Sequence, residues 1–65
     1  MQMNEVTIED DEADIFVVVD GVRIAQRGQP GTPQAGTWVS IEPGWSVRDG
    51  QGGDIEVEHN GVRIH

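Results

Sequence analysis

Cysteine is absent from this 65-residue chain, which removes disulfides and thiolate metal sites from the means of holding so short a polypeptide together. At this length a hydrophobic core supplies only about 3 to 5 kcal/mol without such staples, so one small domain is expected, with association as the remaining source of support. Lysine and tyrosine are absent as well. All basic charge rests on Arg23, Arg27, Arg48 and Arg63, against twelve acidic residues, for a net charge of −8. That balance repels phosphate backbones and anionic membrane surfaces, and so disfavours nucleic-acid and membrane binding. Long apolar runs are missing too: the longest, Ile15 to Val19, falls far short of the roughly 20 residues that span a bilayer. The N-terminus lacks the basic-then-apolar layout of a signal peptide, so a cytoplasmic protein is the expectation. Nowhere do apolar residues recur at helical spacing for two turns, which leaves an all-β chain.

What the chain does have is a sentence said twice. Asp14-Ile-Phe-Val-Val-Val-Asp-Gly-Val-Arg-Ile24 returns 40 residues on as Asp54-Ile-Glu-Val-Glu-His-Asn-Gly-Val-Arg-Ile64, with seven of eleven positions identical. Each copy runs alternating apolar residues into Asp-Gly or Asn-Gly and out again, the pattern of a β-hairpin with a two-residue type I′ turn. Ahead of the first copy, Val6 and Ile8 alternate with polar residues over 4–9 and suit a short strand or a frayed end. Arg27 to Gly36 holds five Gly and Pro residues and reads as the main loop. Thr37 to Ile41 and Trp45 to Arg48 flank Glu42-Pro43-Gly44, where Pro before Gly signals a type II turn; they are expected to form a third hairpin with a bulge near Gly44. Asp49 to Gly53 reads as a flexible loop. The expected fold is therefore a small antiparallel barrel or strongly bent sheet of five to seven short strands. In domain terms, 1–13 is an acidic N-terminal segment carrying five of the twelve acids, partly flexible, and 14–65 is a single all-β domain.

A plain two-residue hairpin sets Val19 opposite Val22, Val17 opposite Ile24 and Ile15 opposite Gln26 on one face. With Ile55, Val57, His59, Val62 and Ile64 of the second copy, and Val39, Ile41, Trp45 and Val47, these form the expected core. The opposite faces differ. In the second copy that face is Glu56, Glu58, Arg63 and His65, with Glu58 across from Arg63, an ordinary solvated surface. In the first copy it is Phe16, Val18, Arg23 and Ala25, so the strand Ile15 to Val19 is apolar on both sides and needs a cover. The N-terminal strand, a tryptophan, a partner or a second copy could each supply it, because monomers rarely leave large apolar patches exposed. Phe16, Val18, Ala25 and Trp38 are thus the candidate protein-contact surface. Trp38 joins them because it alternates away from Val39 and Ile41, whereas Trp45 falls with the core.

The remaining candidates for chemistry are thin. His59 and His65 lie near Glu56 and Glu58 in sequence, but His59 alternates away from both acids, so no metal site is expected. Asp10, Asp11, Glu12 and Asp14 lack the spacing and central glycine of a calcium loop, and Gly50-Gln-Gly-Gly53 lacks the length and ending of a phosphate loop. Ser40 and Ser46 have no oriented base, and paired exposed acids have nothing to raise their pKa, so neither a catalytic centre, a cofactor nor a small-molecule substrate is inferred. Two readings of function follow. One is a non-enzymatic protein–protein interaction module, able to take a protein partner or to form a homodimer. The other is an acidic inhibitor or nucleic-acid mimic that offers the Glu9 to Asp14 block and the second-copy carboxylates, Glu56 and Glu58, to a basic site on another protein.

Overall fold

The computed structural model describes residues 4–29 and 36–65. It contains seven strands: β1 (Val6–Asp11), β2 (Asp14–Val19), β3 (Val22–Gly28), β4 (Val39–Ser40), β5 (Trp45–Asp49), β6 (Ile55–His59) and β7 (Val62–Arg63), with one 3₁₀ turn at Gln51–Gly53. The all-β reading holds, and so does antiparallel pairing, but the sheet does not close into a barrel. It divides into a four-stranded sheet in the order β1-β2-β3-β4 and a three-stranded sheet in the order β5-β6-β7. Among the described residues no helix is long and apolar enough to cross a membrane. Residues 30–35 of the expected main loop lie outside the described residues.

Both Asp-Gly and Asn-Gly sites turn as their chemistry dictates. Asp20 and Gly21 have φ of 50° and 84°, and Asn60 and Gly61 have 52° and 82°, the left-handed pair that a type I′ turn requires and that Asp, Asn and Gly tolerate. The first pairs of each ladder match the plain hairpin register, Val19 with Val22 and Val18 with Arg23, then His59 with Val62 and Glu58 with Arg63. Beyond that point the first hairpin departs from it. A bulge between Val17 and Val18 sets Val17 opposite Ala25, Phe16 opposite Gln26 and Ile15 opposite Arg27. Because one extra residue exchanges the two faces of a strand, Ile24 and Ala25 are both buried, and Ala25 moves from the expected outer face to the core. At the corresponding place in the second hairpin, the Val57 carbonyl accepts from Ile64 N–H while its own N–H donates to the His65 carbonyl.

The third expected hairpin does not form. Glu42-Pro43-Gly44-Trp45 does make a tight turn, closed by Trp45 N–H on the Glu42 carbonyl with Gly44 at φ 85°. Its two arms find other partners: β4 pairs with β3, and β5 pairs with β6 along Trp45 to His59 through Asp49 to Ile55. The turn is thus the corner where the chain leaves one sheet for the other, and no bulge at Gly44 is needed to reconcile a ladder. Val39 and Ile41 pay the consequence in exposure, at 59% and 42%, and do not join the core. Val22 and Val62, beside the two turns, are also exposed. What remains is small: Val17, Val19, Ile24 and Ala25 of the first sheet meet Val57 of the second, with Val6, Trp38, Trp45, Val47, Ile55 and Ile64 packed around them.

The acidic N-terminus is part of this architecture. β1 lies antiparallel along β2 from Val6 opposite Val19 to Asp11 opposite Asp14, so Glu9, Asp10 and Asp11 are strand residues rather than a loose tail. Glu12, at φ 51°, opens the turn into β2.

Candidate functional site

The two-sided apolar strand is covered from within. Phe16 and Val18 are only 7% and 8% exposed. Their face of the sheet also carries Glu9, opposite Phe16, and Arg23, opposite Val18. The Arg23 guanidinium lies 4.0 Å from the Phe16 ring centroid and is held there by the Glu9 carboxylate, with Asp11 3.7 Å away. A flat cation on an aromatic face, anchored by a carboxylate, shields the ring while keeping its own charge at the surface. Phe16, Val18 and Ala25 are therefore buried within the chain; of the covers the sequence allowed, the N-terminal strand contributes through its acids, joined over Phe16 by an arginine of the hairpin itself, which sequence reasoning did not name.

Trp38 is treated in the same way. Its indole N–H donates to Asp49 Oδ1 at 3.2 Å, and the Arg27 guanidinium sits 5.0 Å from the ring while pairing with Asp49 Oδ2 at 3.2 Å. Asp49 on β5 thereby holds both Trp38 and Arg27 of β3, tying the two sheets together. Trp38 is half-buried and committed. The four candidate contact residues are not brought together as one open surface.

The other two arginines are occupied on the second sheet. Arg48 Nε donates to Glu56 Oε1 at 2.7 Å across β5 and β6 and lies 3.9 Å from Glu58, while Arg63 approaches Glu56 at 3.9 Å and donates to the His65 carbonyl. Glu58 thus faces Arg63 in register, as expected, but its nearest charged partner is Arg48. The hydrogen bond from Arg48, reinforced by the positive charge of Arg48 and Arg63, holds the Glu56 carboxyl below its ordinary value, and the Arg48 guanidinium is raised in turn. Among the described residues no group of three or more His, Asp or Glu side chains could hold a metal ion. His59 is engaged elsewhere: its ring stacks on Trp45, centroids 4.0 Å apart and planes 10° from parallel.

Among the described residues an open concavity lies at the end where the first hairpin turn meets the sheet-crossing corner. Val19, Asp20, Val22 and Ile24 form one side and Glu42, Pro43 and Trp45 the other, around a groove of about 350 Å³. Two hydrogen bonds fix this meeting, from Ile41 N–H at 2.9 Å and Glu42 N–H at 3.4 Å to the Ile24 carbonyl, while Asn60 N–H on the Gly44 carbonyl at 2.7 Å ties the corner to the second hairpin turn. The floor is apolar and Val22 remains 50% exposed. The rim is acidic. Asp20 accepts the Glu5 N–H through Oδ1, and none of the four arginines pairs with Asp20 or Glu42. Sequence reasoning missed this site although both turns that build it were readable, because their meeting depends on the chain crossing between sheets. It also gave the surface role to Trp38, whereas Trp45 is the tryptophan that lines the groove. In comparisons with known proteins, no family model, no curated protein and no solved structure matches this chain.

Proposed function

We propose that this chain is a non-enzymatic protein–protein interaction module that receives its partner at the groove between the Asp20-Gly21 turn and the Glu42-Pro43-Gly44 corner. The observation that carries this reading is the groove itself, lined by Val19, Val22, Ile24, Pro43 and Trp45, with Val22 half-exposed, and framed by two backbone turns. Preformed walls matter in so small a domain, since ordering a loop on binding would consume much of the available interaction energy. Of the polar side chains nearest the groove, Ser40 Oγ lies on the backbone carbonyls of Glu42 and Trp45 and His59 is stacked on Trp45, so both serve to hold the groove's wall in place.

The acidic-mimic reading draws less support. Glu9 and Asp11, two of the five acids in the block it relies on, are turned onto Arg23, and Glu56 and Glu58 of the second copy lie against Arg48 and Arg63. Selection of peptides from a random displayed library against the intact chain, with each enriched peptide then tested on Val22→Asp, checks the module reading. The expected result is a set of peptides that shift Trp45 emission and bind the variant at least about tenfold more weakly. Enriched peptides that ignore Val22→Asp, or none at all, would overturn it.

A further inference from the structure

The chain contains three aromatic residues besides its histidines, and two of them are finished in the same way. Phe16 carries Arg23 over its ring, anchored by Glu9; Trp38 carries Arg27, anchored by Asp49. Trp45 has the other two parts of that arrangement, an indole lining the groove and carboxylates at its rim in Glu42 and Asp20, but no guanidinium. His59 stacks on the ring without completing the set, since it takes one face and the groove remains open beside Trp45. The four arginines of the chain are all engaged by other acids, so the missing cation has no source within the described residues.

We infer that the groove takes an arginine side chain of a partner protein, flanked by an apolar residue, with the guanidinium between the carboxylates of Glu42 and Asp20 and beside Trp45. This rests on the module reading above and adds the chemistry of its ligand. Arginine fits better than lysine because a planar guanidinium can lie against an indole while its five N–H donors reach two carboxylates, which a point-like ammonium cannot do together. The apolar neighbour would contact Val22 and Pro43, whose surfaces are otherwise wet. The net charge of −8 adds a general attraction for any basic segment and speeds its arrival at low salt.

The test uses the full chain carrying Trp38→Phe, so that emission reports on Trp45 alone, titrated with an acetylated and amidated Val-Arg-Val peptide and with the same peptide bearing citrulline, the neutral isostere of arginine. Thermal melts confirm that each variant is folded. The expected result is saturable change in Trp45 emission, with the citrulline peptide weaker by about fivefold or more, and Glu42→Gln and Asp20→Asn each weakening only the arginine peptide, by about threefold. Asp20→Asn keeps the carbonyl oxygen that accepts Glu5 N–H and suits the left-handed turn, so it removes charge alone. Arginine and citrulline peptides that bind alike, both lost on Val22→Asp, would overturn the arginine assignment and leave the groove as an apolar contact. Binding untouched by Val22→Asp would overturn both readings. A dimer that forms without peptide and dissociates on Val22→Asp would give the groove to a second copy and overturn the arginine assignment alone.

Discussion

Val57 is the residue on which the joining of the two sheets depends. It is fully buried, and it is the one buried side chain that the three-stranded sheet sends into the core among the described residues; the other members of that cluster belong to β2 and β3. Val57→Ala deletes two buried methyl-sized groups, about 1.6 kcal/mol at roughly 0.8 kcal/mol each, and leaves a cavity between Val17, Val19 and Ile24 that tight packing cannot collapse, so the total cost is about 2 to 3 kcal/mol. Against a stability of about 4 kcal/mol for a domain of this size, the variant keeps about 1.5 kcal/mol and is roughly 7% unfolded at 25 °C. Urea titration followed by tryptophan emission and by far-UV circular dichroism measures this. The expected outcome is a midpoint lowered by about 60%, with the two signals still coincident, because neither sheet has a core without the other. Val62→Ala, 65% exposed at a position the repeat makes equivalent to Val22, is the control and should cost under about 0.5 kcal/mol. A loss below 0.5 kcal/mol for Val57→Ala, or tryptophan and dichroism curves that separate, would refute a core shared between the sheets.

Two further outcomes follow from the corner and from the second sheet. Gly44 sits at φ 85°, and a Cβ there would lie 2.5 Å from Asn60 Oδ1, so Gly44→Ala combines left-handed strain of about 1 to 2 kcal/mol with a clash; adding Asn60→Gly should recover at least about 0.5 kcal/mol in a double-mutant cycle, and an identical cost with and without the Asn60 side chain would sink the clash account. The Glu56 carboxyl, held below its ordinary value of 4.5 by Arg48, contributes stability that is present above that value and lost as pH falls through the lowered one. Carbon-detected NMR titration should place its midpoint below 4.5, and Arg48→Ala should return it upward; a midpoint unmoved by that substitution would show that Arg48 is not the cause.

How much of this was legible in the sequence depends on how local each cause is. The Asp20-Gly21 and Asn60-Gly61 turns, the Pro43-Gly44 turn and the strand character of β2 and β6 are written in a few adjacent residues, and all were found. The bulge at Ile24 was not, because nothing in Val22 to Gln26 marks it; it is stabilised by the two residues that follow β4, Ile41 and Glu42, whose N–H groups both reach the Ile24 carbonyl. The turn at Pro43-Gly44 was read correctly and its role was not. A type II turn serves equally as a hairpin tip or as a corner, and the choice falls to β3 and β6, which hold the two arms apart in separate sheets. The part of Arg23 in covering Phe16 was missed for a related reason. Alternation says that Arg23 shares the face of Phe16, but only the full ladder brings Glu9 of β1 alongside to fix the guanidinium there.

The edge position of β1 has one more consequence. A four-stranded sheet with an open outer strand can be lengthened by any chain that lays a strand along it, and repeated lengthening is how fibrils grow. Here the open strand ends in Glu9, Asp10 and Asp11, so two copies meeting edge to edge would crowd six carboxylates together with only their two Arg23 side chains to offset them. The same charges that made the N-terminus read as a partly flexible acidic segment act as a fence along the sheet.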